Sequence, residues 1–243
     1  KVIDDDTKVV MVDQAGWFNG FLHDLKSIAE IAHEHGAYLV VDGTQSVGGL
    51  AWDIHDEGVD FLACSTYKWL LGSPANNTAG FLYIKEAMVD NFQADYVGEQ
   101  TLKAKKDRII PKDKFALYDF EPRKGIERIE IYNRSEFSYV AVENSMKLLL
   151  RHGIDKVEKQ IKKVDTKIID GLNSMGVELV TPLEEERRLY LNAKVSDYKK
   201  VCVELAKDKV YVSDRVGGIR IAPGAYNEVE EAEVFLEKLG KFL

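Results

Sequence analysis

Residues 24–42, DLKSIAEIAHEHGAYLVVD, leave this chain few choices of fold. Leu25, Ile28, Ala29, Ala32 and His33 recur at helical spacing, Asp24 stands where an N-cap belongs, and Gly36 supplies a C-terminal stop. The helix runs directly into AYLVVD, apolar throughout, as expected of a parallel strand covered on both faces. KVVMV (Lys8–Val12) precedes it as a strand, and VDFLACS and AGFLYIK (Ala79–Lys85) read as two more of the same buried type. Strand, helix and buried strand in succession predict an α/β fold with a mainly parallel sheet.

Past Met88 the pattern changes. Residues 98–127 are charged and weakly periodic, and read as an excursion from the sheet. A long helix is predicted over Ser135–Gly153, with Ser135 as cap, and a second helix follows with Val157, Ile161, Val164, Ile168, Ile169 and Leu172 near helical spacing. From Val177 the segments VELV, LYLNAK, SDYKKVCVELAKD, VYVS, GIRIA and NEVEEAEVFLEKLGKFL alternate strand, strand, helix, strand, strand, helix. The expected organisation is a large α/β domain over residues 1–135 and a small C-terminal α+β domain with its linking helix over 136–243.

Composition narrows the function classes. A net charge of −8 argues against a nucleic-acid partner, which would favour a basic face. No run of roughly 18 apolar residues marks a membrane span. Cys64 and Cys202 lack CxxC spacing and suggest neither a structural zinc site nor a disulfide framework; with no visible secretory leader, a cytoplasmic location is expected. The five histidines, His23, His33, His35, His55 and His152, do not converge on metal spacing, so no metal is expected.

Two residues carry the chemistry. Ligands of an open parallel sheet collect at the carboxyl ends of its strands. Asp42 closes one strand, followed by Gly43, Thr44 and Gln45; Lys68 emerges after the next, in CSTYKWLLG, between a tyrosine and a tryptophan. Asp42 reads either as a turn former or as a carboxylate facing a protonated ring nitrogen. Lys68 reads either as a surface lysine or as an amine desolvated by its aromatic neighbours, which lowers its pKa and makes it a usable nucleophile and base. Carboxylate and lysine at adjacent strand ends suit pyridoxal phosphate, with the lysine as Schiff-base partner of the aldehyde.

The stretch VVDGTQSVGGLAWDIHDEGVDFLACSTYKWLLGSP resembles the active-site region of the class V aminotransferases, fold-type I pyridoxal-phosphate enzymes. GGIRIAPGAYNEVEEAEVFLEKL resembles a second signature of that family, and the likeness covers nearly the whole chain. It implies Lys68 as the catalytic Schiff-base lysine, Asp42 as the pyridinium partner, Gln45 as a donor to the cofactor's phenolic oxygen, and Ser65 and Tyr67 as phosphate ligands. Arg220 would bind the substrate carboxylate bidentately. Tyr67 stands where many members have histidine and is closer to kynureninases.

Asn133, in RIEIYN, would take the polar role of the family's Gly-Thr, which reaches a partner subunit's phosphate. Trp17 occupies a place where many members have asparagine. Relative to the family the chain begins near mid-sheet, which implies a partial large domain. The resemblance further implies a homodimer and an amino-acid substrate. Transamination ranks first, ahead of isopenicillin-N-epimerase-like epimerisation and kynureninase-like cleavage. Cysteine desulfuration is disfavoured, because VYVSDRVGGIRIA holds no cysteine before the arginine strand. A non-catalytic cofactor-binding or scaffold protein is the alternative of another class.

Overall fold

A computed structural model of the 243-residue chain describes residues 2–72, 79–92, 98, 101–103, 121–130 and 135–243. It contains two sheets. The first has strand order β1-β2-β3-β4, from β1 (Val9–Asp13), β2 (Tyr38–Asp42), β3 (Phe61–Ser65) and β4 (Gly80–Ile84). The second has order β5-β7-β6, from β5 (Leu191–Ala193), β6 (Ser213–Arg215) and β7 (Gly218–Ile221), antiparallel throughout.

Helix α1 (Leu25–Glu34) forms where the apolar spacing places it. The Asp24 carboxylate accepts from the Ser27 amide at 3.1 Å and from its hydroxyl at 2.7 Å, closing the first turn. At the other end Gly36 takes φ +70°, its N–H reaching His33 O while Ala37 N–H reaches Ala32 O, a Schellman stop. Leu25 and Ala29 pack on Leu39, Val41, Val59 and Leu62, each fully or nearly fully buried. Each such aliphatic side chain contributes about 1.5–3 kcal/mol on leaving water. Asp60, buried, ties helix to sheet by accepting from Leu39 N at 2.8 Å and pairing with His33 Nε2 at 2.7 Å.

Two expectations are corrected here. β4 pairs antiparallel to β3, whereas β1, β2 and β3 are parallel. The connection from Ser65 to Gly80 holds no crossover helix among its described residues, and a chain that turns straight back can only pair antiparallel. Among the described residues the second face of the sheet is covered only in part, by Met88 and Phe92 beside Phe61. Val10, Val12, Leu39, Val41, Leu62 and Phe81 face α1's core, while the alternate residues Val9, Met11, Tyr38 and Leu82 are exposed, Met11 at 73%.

Helix α2 (Glu86–Val89) packs against β3 and β4 through Met88, Ile84 and Phe61. Helix α3 (Glu136–His152) and helix α4 (Ile154–Ser174) meet at Gly153, whose φ of +88° allows the bend between them. Ser135 precedes α3, but its side chain makes no cap bond to the backbone; its Oγ accepts from the Ser138 hydroxyl instead. Leu149, Val157 and Ile161 pack these helices against Cys64 and Leu70, at the end of β3. Further along α4, Val164, Ile168 and Leu172 join Leu191, Ile219, Leu205 and Phe235 in the core beneath the second sheet, closed by α5 (Tyr198–Lys207) and α6 (Val229–Leu239). VELV forms no strand of its own, only a bridge from Leu179 to Ala193.

Candidate active site

The carboxyl ends of β2 and β3 meet the second sheet around one cavity of about 650 Å³. Gln45, Tyr67, Lys68 and Arg220 all line it, with Trp69, Leu71, Tyr190 and Tyr226 as walls. That volume falls within the usual range for small-molecule and cofactor sites. Asp42 and Ser65 do not line it; they sit beside it at the strand ends, Asp42 in register with Ala63. Asn133 lies outside the described residues.

Lys68 is carried by a tight turn. Leu71 N–H bonds Lys68 O, and Gly72 N–H returns to Thr66 O at 2.7 Å. A Cβ at Gly72 would stand 2.5 Å from Thr66 O, so only glycine permits that return. Leu71 is held at φ +54°, a conformation a leucine rarely adopts and one that surrounding structure must enforce. Lys68 Nζ lies 5.3 Å from the Tyr67 ring centroid. Burial is the main influence depressing its pKa below the ordinary lysine value; the Arg220 and Arg215 charges depress it further, and the Asp42 carboxylate opposes them. Besides burial, two guanidinium groups act on the amine that the local sequence did not announce.

Asp42 Oδ1 accepts from Thr44 N at 2.8 Å, which fixes the carboxylate at the head of the turn carrying Gln45. Thr44 Oγ1 accepts from Ser65 N, linking the ends of β2 and β3. Trp69 lies over the backbone of Gly49, where an added Cβ would come within 2.7 Å of the ring.

Arg220, on β7, arrives from the other sheet. Its Nη1 donates to Trp17 O at 2.6 Å, and among the described residues no carboxylate pairs with it. That bond belongs to a series. Five successive carbonyls of the turn after β1 each accept a hydrogen bond from the C-terminal half. Tyr190 Oη donates to Gly16 O at 2.7 Å, Arg220 to Trp17 O, Asn192 Nδ2 to Phe18 O at 2.8 Å, Thr181 Oγ1 to Asn19 O at 2.6 Å and Leu189 N to Gly20 O at 2.9 Å. Gly20, at φ +70°, lets the turn approach so closely that a Cβ there would stand 2.2 Å from Tyr190 O. The sequence analysis missed Tyr190, Asn192 and Thr181, since backbone acceptors leave no trace in a sequence.

Cys64 is buried on β3, and burial pushes its thiol up to about 12. Cys202 lies on α5, away from the cavity walls, and its thiol is also raised by burial. The segment before Arg220 is a tight hairpin turning at Val216 and Gly217, without a cysteine. Among the described residues no group of His, Cys, Asp and Glu could hold a metal ion, and no helix is long and apolar enough to cross a membrane.

The lysine turn at the carboxyl end of β3 is thus faced by an arginine from the second sheet. The family model for class V aminotransferases matches residues 1–223, and the chain belongs to that family. An uncharacterised aminotransferase, YcbU of Bacillus subtilis, is 26% identical over 98% of this chain and 60% of its own length. A probable cysteine desulfurase of Pyrococcus abyssi is 26% identical over 94% of the chain and 58% of its own length. Kynureninase 2 of Neurospora crassa is 26% identical over 96% and 53%. The chain thus spans somewhat more than half the length of these relatives. The apo cysteine desulfurase of Thermococcus onnurineus shares the fold at a TM-score of 0.84 and 23% identity, over 96% of this chain and 59% of that one.

Proposed function

We propose that the protein is a pyridoxal-phosphate enzyme acting at the α-amino group of an amino acid, with transamination as its reaction. The observation carrying this reading is the pairing, around one cavity, of an amine depressed by burial with a guanidinium that has no carboxylate partner among the described residues. The donor set fits the cofactor: an amine for the aldehyde, a carboxylate fixed at the end of the neighbouring strand, and hydroxyl and amide groups from Ser65, Tyr67 and Gln45. When bound, pyridoxal phosphate draws electrons from the bonds at the substrate α-carbon.

The chain's residues supply the rest. Asp42 would accept a hydrogen bond from the pyridinium nitrogen and hold that proton in place. Gln45 would donate to the phenolic oxygen, and Ser65 and Tyr67 would hold the phosphate. Arg220 would take the substrate carboxylate in two parallel hydrogen bonds, presenting the Cα–H to Lys68 Nζ, which removes and returns the proton. The cysteine-free hairpin before Arg220 speaks against desulfuration, and Tyr67 keeps kynureninase-like cleavage as the second reading. The exposed apolar residues Phe137, Val140 and Leu150 of α3 support a homodimer. The division between a large domain and a small one after residue 135 is part of the same reading.

Borohydride treatment of the violet-absorbing protein followed by peptide mapping is expected to label Lys68; an unlabelled Lys68 in a cofactor-loaded protein would sink the proposal. Screening L-amino acids and analysing products for a keto acid, a D-isomer or a cleaved side chain separates the three reactions. Arg220→Lys is expected to raise KM strongly, because an ammonium cannot reproduce the guanidinium fork. Turnover equal to the parent would exclude the carboxylate role.

A further inference from the structure

Tyr190 immediately precedes β5 and is the largest fully buried side chain among the described residues, at 1% exposure. Three contacts fix its ring. Its hydroxyl donates to Gly16 O at 2.7 Å. One neighbour is the Trp69 ring, near-parallel at 27° with centroids 6.4 Å apart. The other is the Arg220 guanidinium, whose carbon lies 5.7 Å from the ring centroid. Burial raises the phenol's pKa, so Tyr190 is a neutral donor, and what it offers Arg220 is the face of an uncharged ring.

Arg220 needs such support. A guanidinium on a long side chain samples many rotamers, and among the described residues one of its N–H groups is bonded, to Trp17 O. A single bond leaves the plane of the group free to swing about it. A ring face removes that freedom, because planar guanidinium groups lie against aromatic faces. Trp69 follows Lys68 directly in the chain, so the stack runs from the lysine turn through Trp69 and Tyr190 to the arginine. It ties the two cationic groups of the cavity together through rigid aromatic rings.

We infer that Tyr190 is a positioning residue: its ring, held by Gly16 O and Trp69, sets the plane of the Arg220 guanidinium and so the affinity of the cavity for a carboxylate. The inference rests on the proposed function for the identity of that carboxylate as the α-carboxylate of an amino acid. It does not rest on it for the geometry.

The test has two arms. In the cofactor-free full chain, the Arg220 Nε–Hε resonance is followed during titration with pyruvate, for the parent, Tyr190→Phe and Tyr190→Leu. The parent resonance is expected to carry an upfield ring-current shift, retained in Tyr190→Phe and lost in Tyr190→Leu. Pyruvate affinity is expected to hold within about two-fold in Tyr190→Phe and to fall roughly three- to thirty-fold in Tyr190→Leu, the span of a cation–π contact. A parent resonance with no ring-current shift overturns the inference without any variant, so a Tyr190→Leu chain that does not fold leaves it open to refutation. A folded Tyr190→Leu binding pyruvate as tightly as the parent also overturns it. In the second arm, pyridoxal-phosphate uptake by the parent is read from its absorption. Failure to take up cofactor defeats the proposed function while the first arm still judges Tyr190.

Discussion

Replacing Gly20 by alanine isolates the energetic meaning of the close approach between the turn after β1 and the strand that follows Tyr190. Two costs are expected. Gly20 lies at φ +70°, where a Cβ costs about 1–2 kcal/mol by its own backbone. The Cβ would also stand 2.2 Å from Tyr190 O and 2.8 Å from Tyr190 N, both backbone atoms, and ordinary contact begins near 3.4 Å. The two segments must therefore part by roughly an ångström, which strains the bonds from Tyr190 Oη to Gly16 O and from Leu189 N to Gly20 O, worth about 1 kcal/mol each. The total is about 3 kcal/mol, a fall in Tm of roughly 6–12 °C for a chain of this size.

Gly36 is the control. It has the same φ of +70°, with nothing within 4 Å of the position its Cβ would take. Gly36→Ala should pay the backbone term alone, a fall of roughly 2–8 °C. Both variants gain the same stabilisation from a stiffer unfolded chain, so that contribution cancels in the comparison. Thermal melts followed by circular dichroism, run side by side, give the difference directly. Equal melting temperatures for Gly20→Ala and Gly36→Ala would refute the reasoning, because the approach of turn to strand would then carry no energy.

Asp165, on α4, is buried with Oδ1 lacking a hydrogen-bond partner among the described residues, and burial raises its pKa well above the usual carboxylate value although Arg188 opposes this. The folded chain therefore binds a proton that the unfolded chain releases near pH 4, so stability falls as pH rises from there through the raised pKa; Asp165→Asn should flatten that slope in denaturant titrations and gain about 1 kcal/mol at neutral pH. Lys68 has the opposite sense: its folded pKa is lowered, the unfolded chain binds more protons between that value and 10.5, and stability rises with pH across the window, a slope that Lys68→Met should remove in the cofactor-free chain. Asp24→Ala should cost about 1 kcal/mol by guanidinium denaturation, through loss of the cap on Ser27. Cys202→Ser should leave amino-acid turnover unchanged in a spectral assay; a lost activity would revive a thiol mechanism.

What the sequence made legible is what local physics writes into local residues. The Asp24 cap, the i, i+3, i+4, i+7 apolar stripe and the Gly36 stop specify α1 without outside help, and the apolar run after them specifies β2. Lys68 stood out because an amine between two large aromatics at the end of a buried strand is costly unless used. The direction of β4 was not legible, since GFLYI carries the same apolar pattern whether it pairs parallel or antiparallel; the connection decides. The partly covered sheet face was hidden for a related reason. Val9 and Met11 are as apolar as a covered face requires, and only the three-dimensional structure shows them exposed among the described residues. Nothing in LYLNAK sets Tyr190 apart from any other aromatic in an apolar strand. Its partners, Gly16 O, Trp69 and Arg220, come from three distant segments that only the folded chain brings together.

The electrostatics of the cavity follow from that assembly. Lys68 and Arg220 are 220 − 68 = 152 residues apart in sequence and are brought to one cavity by the turn at residues 16–20. Each loses solvation there, and Arg220 and Arg215 both depress the lysine, so the folded protein holds like charges together at an energetic cost. Asp42 offsets part of this for Lys68, while Arg220 meets, among the described residues, a neutral carbonyl and a ring face. Bonded to a backbone carbonyl and faced by an aromatic ring, the Arg220 guanidinium keeps its potential for an incoming anion. A phosphate or a carboxylate entering the cavity removes repulsion as well as forming hydrogen bonds, and it does so against groups already in place. A surface ion pair at Arg220 would have cancelled that potential. The carbonyl at Trp17 orients the guanidinium without neutralising it.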